Sequence, residues 1–325
     1  MSNLRAIKDK IRSVGKTHQV TKAMEAVSGV KMRKAQISAL TARPYALAAF
    51  RILARVSSSI DLSRHPFLRA RTPEAGKALA HQNFPKENLG GRVLAVVITS
   101  DKGLAGGLNS SLLKRVVTAL DERGVSREHT GILAVGRKGE DYFARRGYIL
   151  EEKIPTIGDE SLTTDFGGIV ELVSNLFARN EYDECILAYT NFRSTFEQEP
   201  VVRTLLPLSI EGIEEMIKGI APEKGKFTES KEATEKLTHS ADYLFEPSPE
   251  AVLETLLPRL ISVELHHAFL ESKASEHSAR MVAMRNASDK AEEVEFLLTR
   301  EYNKARQSAI TREMSEIIGG IEAMR

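Results

Sequence analysis

The sequence predicts a mixed α/β fold in which a long antiparallel coiled coil, built from the N- and C-terminal helices, carries a central Rossmann-like α/β domain. Two observations predict it. Both ends of the 325-residue chain repeat apolar residues at helical spacing, and the middle alternates apolar runs with amphipathic segments. We expect an N-terminal coiled-coil helix over 1–63, a linker over 64–91, the α/β domain over 92–210, an exposed insertion over 211–241 and a C-terminal coiled-coil helix over 242–325.

The N-terminal helix is predicted from a proline-free segment, 3–43. Its apolar stripe is narrow, which is typical of a helix that packs along one long partner. We expect a kink at Pro44, after which the helix resumes through Ile60. The stripe runs through Leu4, Ile7, Ile11 and Val14, and then through Val20, Met24 and Val27.

The same helix is strongly basic. Segment 2–43 holds ten lysines and arginines against two acidic residues, a net charge of +8, whereas the whole chain carries only +2. A charge block of this size indicates a binding partner rather than a fold. Both nucleic acid and an acidic protein surface would suit it, but the aromatic residues that stack on bases are missing from the segment.

The C-terminal helix is predicted to be longer, because 259–318 contains neither glycine nor proline. A continuous helix of that length extends about 90 Å and needs a long partner, which the N-terminal helix provides. We expect the start of the first helix to lie near the middle of the second. The expected seam runs through Val294, Leu298, Tyr302, Ala305 and Ala309. It continues on a neighbouring line through Ile310, Met314, Ile317 and Ile321. We expect these last residues to pack against Leu4, Ile7 and Ile11 of the first helix.

The middle of the chain alternates strand-like and helix-like segments, which predicts a largely parallel sheet. The predicted strands are 92–99, 131–135, 184–190 and 200–206, and the predicted helices are 110–123, 138–146 and 164–180.

A glycine-rich turn, 100–109, follows the first predicted strand and raises the possibility of a phosphate site. The spacing argues against one. A P-loop has a second glycine five residues after the first, followed directly by lysine. Counting from Gly103, these two positions hold Leu108 and Asn109. The glycines also miss the spacing of the dinucleotide fingerprint. We therefore expect a tight turn whose small residues let the next helix lie close to the sheet, and no bound nucleotide.

Other sites for chemistry are not expected. His267 and Glu271 have the i, i+4 spacing of a metal pair, with His266 and His277 nearby, but no third ligand converges on them, so we expect a solvated helix face. The single cysteine, Cys185, lies in a predicted strand and is expected to be buried. The sequence thus predicts no catalytic residue, no cofactor and no metal. Its apolar runs are also far shorter than the ~20 residues that a membrane-spanning helix needs.

Six stretches resemble the gamma chains of F-type ATP synthases, in the same order along the chain. They are IKDKIRSVGKTHQVTKAMEAVSGVKMRKAQ (7–36), RPYA (43–46), SDKGLAGGLN (100–109), DYLFEPSPEAVLETLLPR (242–259), SEHSARMVAMRNASD (275–289) and YNKARQSAITREMSEIIGG (302–320).

The resemblance implies a non-catalytic rotor that couples proton flow to ATP synthesis and hydrolysis. The implied partners are the hexameric ring of alpha and beta subunits, the epsilon subunit and the membrane c-ring, with no nucleic acid and no bound nucleotide. It also implies a peripheral location on the cytoplasmic face of a bacterial inner membrane. The positions that match ring-contact positions of the family are Lys22, Met24, Glu25, Arg280, Gln307, Thr311, Glu313 and Glu316.

Two departures and two alternatives accompany this resemblance. Ala105 stands where many members have cysteine, and Glu322 and Arg325 put charge at an end that is often apolar. The alternatives are a coiled-coil scaffold that binds nucleic acid and a nucleotide-dependent enzyme. If the resemblance holds, a lysine at Met24 or a reversed charge at Arg280 is expected to impair coupling more than folding.

Overall fold

The computed structural model describes residues 2–57, 67–68, 91–152, 154, 157–159, 162–208, 246 and 248–322. It confirms the predicted fold class, since two long terminal helices flank a central mixed sheet. The expected linker over 64–91, apart from 67–68 and 91, and the expected insertion over 211–241 lie outside the described residues. No described helix combines the length and the apolar character needed to cross a bilayer.

Each terminal helix is continuous and lies within the range expected from the sequence, 1–63 for the first and 242–325 for the second. The second has 74 residues and would extend about 110 Å. Neither Pro44 nor Pro258 ends its helix, because packing in the main core holds the residues beyond each proline: Leu53 and Leu260 are both buried there. The helices are α1 Ser2–Ser57, α2 Leu108–Glu122, α3 Arg137–Ala144, α4 Gly167–Ala178 and α5 Pro249–Glu322.

The sheet has five strands in the order β3-β2-β1-β4-β5, parallel except for the last. Ala188 pairs with Val202 where β5 runs antiparallel to β4. The two-residue strand β3 was not predicted, because it is too short to show a periodic pattern. The strands are β1 Val93–Ile98, β2 Thr130–Val135, β3 Ile149–Leu150, β4 Glu184–Phe192 and β5 Gln198–Leu206.

Successive strand residues point to opposite faces, so the sheet lies between two apolar layers. Val96 and Leu187 face the main core, to which α5, α4 and the end of α1 contribute. Val97 and Ile186 face a second core formed with α2 and α3. Cys185 is fully buried in the main core, as predicted, and burial raises the pKa of its thiol.

The two terminal helices pack against each other in antiparallel directions, as predicted. His18 Nδ1 donates a hydrogen bond to the backbone carbonyl of Ser288 at 3.0 Å. Further along α1, Gly29 faces Met281, so the residue number on α5 falls as that on α1 rises. The register places the start of α1 opposite the residues just before Ala309. The prediction that the start of α1 lies near the middle of α5 was wrong. The end of α1 lies near the first turns of α5, so the 56 residues of α1 extend well past the middle of α5.

This register leaves the last turns of α5 beyond the start of α1. The predicted pairing of Leu4, Ile7 and Ile11 with the final apolar residues was therefore wrong: Ile7 is buried, but those final residues are 48–62% exposed. We call residues 310–322 the free end of α5. Its exposed apolar side chains are Ile310, Met314, Ile317, Ile318 and Ile321.

The seam on α1 also differs from the predicted one around residue 24. Val20 and Val27 are 58% and 57% exposed, whereas Thr21 and Ser28 are buried. The helices approach closely here, since a Cβ at Gly29 would lie 3.3 Å from the sulfur of Met281. The small side chain of Ser28 fits this approach, and the hydroxyl of Thr21 can be buried because it donates to the backbone carbonyls of Thr17 and His18 at 2.9 and 3.0 Å. The seam residues are therefore polar, and the apolar pattern indicated the wrong face.

One buried carboxylate gives a testable pH dependence. Glu264 on α5 is 7% exposed, and burial raises its pKa to about 8, an effect that Arg203 partly offsets. A folded pKa above the unfolded value stabilises the fold at low pH, and this contribution is lost as pH rises from about 4.5 to about 8. We expect Glu264→Gln to raise the free energy of unfolding at pH 8 by about 2–4 kcal/mol.

Urea unfolding of the purified chain between pH 5 and pH 8 measures this effect. The matched control is Glu254→Gln, which changes an exposed glutamate on the same helix. Parallel pH profiles for Glu264→Gln and the unchanged chain would show that Glu264 is ionised in the fold.

Candidate functional site

The residues that resemble ring-contact positions fall into three places in the structure. Lys22, Met24 and Glu25 lie on the paired part of α1, and Gln307 to Glu316 lie at and just beyond the end of the pairing. Arg280 is buried where α5 leaves the α/β domain. The structure therefore brings these residues onto one coiled coil but not into one patch.

The α1 patch combines a charge pair with a partly buried apolar side chain. Lys22 Nζ lies 3.0 Å from Glu25 Oε2, and the lysine is the more exposed partner. Met24 is half-buried beside the seam. The exposed valines Val20 and Val27 lie on the same stretch, so this part of α1 presents apolar and basic groups together.

The free end of α5 carries the second group. At 100° per residue, Gln307 and Thr311 lie along one edge of the exposed apolar stripe, Glu313 lies along the other edge, and Glu316 lies on the opposite side. Thr311 donates to the backbone carbonyl of Gln307 at 3.0 Å, and Glu316 lies 3.6 Å from Arg312. All four predicted contact residues here are exposed.

Arg280 is buried, which contradicts the expectation that reversing its charge would largely spare the fold. It is 7% exposed, and its Nη2 lies 2.7 Å from Glu276 Oε1. The guanidinium also donates to the backbone carbonyl of Gly103 at 3.3 and 3.4 Å. Arg280 thus joins α5 to the glycine-rich turn of the α/β domain, which satisfies its charge within the chain. Its contact with a ring subunit remains a prediction.

Arg280 is part of a larger group of ionisable side chains, which we call the charge cluster: Lys31, Asp159, Lys273, Glu276, His277 and Arg280. Asp159 lies in the loop after β3, and its Oδ2 lies 2.7 Å from Lys31 Nζ. Its Oδ1 lies 3.5 Å from His277 Nε2 and 3.6 Å from Lys273 Nζ. Lys273 in turn lies 3.5 Å from Glu276 Oε2. Contact with His277, followed by Lys31 and Lys273, holds the pKa of Asp159 well below its usual range.

Histidines 266, 267 and 277 and Glu271 are buried, so the predicted solvated face was wrong. This part of α5 packs next to β4. The serines that lie between its charged residues form hydrogen bonds with the backbone of that strand. Ser272 Oγ accepts from the Thr190 N–H at 3.2 Å, and Ser275 Oγ donates to the Thr190 carbonyl at 3.1 Å. Among the described residues, no group of His, Cys, Asp and Glu has the arrangement of a metal site.

The glycine-rich turn is held by hydrogen bonds within itself. The Ser100 N–H donates to Asn109 Oδ1 at 3.1 Å, and Asn109 Nδ2 donates to Ser100 Oγ at 2.8 Å. Gly106 has φ +58°, a conformation that glycine adopts without strain. Open space surrounds the Cβ position of Gly106, so its backbone conformation, and not a close approach to the sheet, explains this glycine.

The crevice at the carboxyl ends of β1 and β4 is the place where open α/β sheets bind ligands. Here α5 lies over it: Thr99 and Asn109 from the domain line it together with Ser272, Lys273 and Glu276 from α5. The fold has therefore placed its own helix where a nucleotide would lie.

We expect the purified chain to bind ATP no more tightly than about 1 mM by isothermal titration calorimetry. The helix over the crevice and the missing P-loop lysine are the reasons. Micromolar binding that a Gly107→Val substitution abolishes would contradict this expectation.

Sequence reasoning missed most of the charge cluster. Asp159 gave no signal, because it lies in a loop and its partners are more than 100 residues away in sequence. A signal was present on α5, where Ser272, Ser275 and Ser278 recur every third residue and indicate a close packing partner. The serines also explain why charged neighbours such as Glu276 lie inside the molecule.

Comparison with known proteins bears on what this coiled coil does. A family model described as ATP synthase matches residues 3–324. The ATP synthase gamma chain of Pelotomaculum thermopropionicum is 37% identical over 324 residues, covering 100% of both chains. The chain belongs to the ATP synthase gamma chain family. The gamma chain of Roseiflexus castenholzii is 38% identical over 327 residues, covering 100% of this chain and 99% of the relative.

Solved structures of the family have the same fold. A chain of the Euglena gracilis mitochondrial ATP synthase matches with a TM-score of 0.59 and 21% identity, covering 99% of this chain and 95% of that chain. A chain from the Tetrahymena thermophila central stalk and c-ring structure matches with a TM-score of 0.53 and 25% identity, covering 83% and 99%. This gamma chain therefore keeps the architecture of the family over nearly its full length.

Proposed function

We propose that this gamma chain is the central rotor of a proton-transporting F-type ATP synthase. Its coiled coil stands inside the hexameric ring of alpha and beta subunits, and its other end is bound to the c-ring and the epsilon subunit. The observation that carries the proposal is an antiparallel coiled coil that extends beyond the α/β domain and ends in a single exposed apolar helix, in a chain that matches the family from end to end.

Rotation of such a coiled coil presents different faces to the ring subunits in turn. On α1 the exposed Lys22 lies on nearly the opposite side from the exposed valines Val20 and Val27, and the free end of α5 is apolar on one side and charged on the other. A partner subunit that binds these faces unequally has its conformational equilibrium shifted as the shaft turns. The chain thus acts on the nucleotide sites of other subunits and is itself not catalytic.

Two surfaces are the proposed ring contacts. The basic and apolar stretch of α1 fits an acidic loop of a beta subunit, because Lys22 is exposed and the helix is strongly positive. The apolar stripe at the free end of α5 fits an apolar inner surface of the ring. The residues proposed to make these contacts are Lys22, Met24, Glu25, Gln307, Thr311, Glu313 and Glu316, with Arg280 at the base.

The proposed location is the cytoplasmic face of a bacterial inner membrane, where the chain is a peripheral subunit held through the c-ring. Proton flow through the membrane sector turns the ring and the shaft together during ATP synthesis, and ATP hydrolysis turns them in the opposite direction.

Reconstitution with alpha and beta subunits tests this function. We expect one copy of the chain to copurify with three copies each of alpha and beta, and to raise ATP hydrolysis above that of the alpha and beta subunits alone. A chain that remains monomeric and leaves hydrolysis unchanged would contradict the proposal. Binding of DNA with a steep salt dependence would instead support the nucleic-acid scaffold.

A further inference from the structure

The charge cluster lies where the coiled coil leaves the α/β domain. Between residues 260 and 280 α5 is largely buried, and after Ser288 most of its described residues are exposed. Lys31 of α1 and His277 of α5 meet at this level through Asp159. A twisting force between the domain and the coiled coil is carried by the contacts at this level.

Asp159 divides its two carboxylate oxygens between the two helices. Oδ2 faces Lys31 of α1 at 2.7 Å, and Oδ1 faces His277 and Lys273 of α5 at 3.5 and 3.6 Å. Both α5 partners are buried, whereas Lys31 is half exposed. One loop carboxylate thus contacts cationic groups on both helices of the shaft.

A second connection fixes the domain to the same two turns of α5. Glu276 holds Arg280 at 2.7 Å, and Arg280 donates to the carbonyl of Gly103 in the glycine-rich turn. The loop at Asp159 and the turn at Gly103 therefore both contact α5 within residues 273–280, and the Asp159 loop also contacts α1 at this level through Lys31.

A further attachment of α1 to the domain core lies near its end, where Leu53 and Val56 are buried. Lys31 precedes Leu53 by about 33 Å along the helix. Two attachments separated by this distance resist rotation of α1 on the domain, whereas a single attachment at the end acts as a pivot.

We propose that Asp159 is a positioning residue that locks both shaft helices to the α/β domain, so that torque passes between the domain and the coiled coil without slippage. The torque part of this inference rests on the proposed rotor function. The locking part concerns the geometry of the chain and can be measured separately.

The test uses Asp159→Asn in the fully assembled complex, because asparagine keeps the shape and removes the charge. Spin labels at exposed Arg33 on α1 and Glu171 on α4 report the distance between helix and domain. We expect a broader distance distribution in the variant and about a two- to fivefold loss of protons pumped per ATP hydrolysed. Asp159→Glu should restore both values, which a simple loss of stability would not predict.

The matched control is Glu293→Gln, which breaks the exposed ion pair with Lys290, 2.7 Å long and confined to α5. It should leave both values unchanged. If Asp159→Asn prevents assembly, Lys31→Gln removes the α1 contact from an exposed position and should broaden the same distribution. An unchanged distribution in the assembled variant would overturn the inference. Failure of the unchanged chain to support pumping would instead contradict the rotor function, and the label distances would still test the lock.

Discussion

Replacing Arg280 by glutamate is expected to lower the free energy of unfolding by about 3–5 kcal/mol. The substitution removes the donors to Gly103 and puts a carboxylate next to Glu276, which Arg280 now contacts at 2.7 Å. Two adjacent carboxylates in a buried site repel each other, and Lys273 is left as the neighbouring cation of Glu276. Chemical unfolding of the purified chain, followed by circular dichroism, measures the loss.

The control for this variant is Arg300→Glu, because Arg300 is exposed on the same helix. That substitution should change stability by less than about 0.5 kcal/mol. Equal and small effects of both substitutions would show that the buried contacts of Arg280 do not stabilise the chain. The expected result also replaces the sequence-based expectation that a reversal at Arg280 impairs coupling more than folding.

Replacing Met24 by lysine is expected to slow ATP synthesis about tenfold or more in assembled complexes. Met24 is only half-buried, so a lysine can extend its charge to solvent and the chain should still fold. The new charge adds to a helix that is already strongly basic and strengthens its contact with an acidic loop in one rotary position. A charge-assisted contact of about 1.5–3 kcal/mol is enough to delay release by that factor.

Proton pumping and ATP hydrolysis in the same membrane vesicles measure this effect. Gln19→Lys is the matched control, since Gln19 is exposed on another side of α1 and receives the same charge. We expect normal pumping per ATP in Gln19→Lys and reduced pumping per ATP in Met24→Lys. Identical ratios in both variants would remove Met24 from the coupling surface.

The sequence predicted the elements well because their signals are local. The absence of glycine and proline over 259–318 indicated α5, and the apolar runs ending at Ile98 and Val135 indicated β1 and β2. The fold class followed because each of the two long helices has a narrow apolar stripe that needs a long partner, and each provides that partner for the other.

The details that depend on distant packing were not predictable in the same way. Periodicity indicated Val20 and Val27 at the seam, but the close approach of the helices favours Thr21 and Ser28. His267 and its neighbours were predicted to form a solvated face because the partners that bury this part of α5 are distant in sequence: His266 contacts Thr163 and Phe166, and Ser272 is bonded to Thr190 of β4.

The candidate contact residues were predicted from resemblance, and the structure bears on their exposure only. It places Lys22 and the group from Gln307 to Glu316 on the surface and Arg280 inside the chain. The charge at the very end stays a prediction, because Arg325 lies outside the described residues. Asp159 could not be found from sequence, since its partners lie on two other elements.

The proposed function requires rotation of this chain inside a ring of alpha and beta subunits. Single-molecule observation of a probe attached through Arg137→Cys, an exposed position on α3, tests it most directly in an immobilised complex supplied with ATP. We expect unidirectional rotation with three pauses per turn, because the proposed ring presents three equivalent catalytic positions to one asymmetric shaft. A probe that stays fixed while the same complexes hydrolyse ATP at full rate would contradict it.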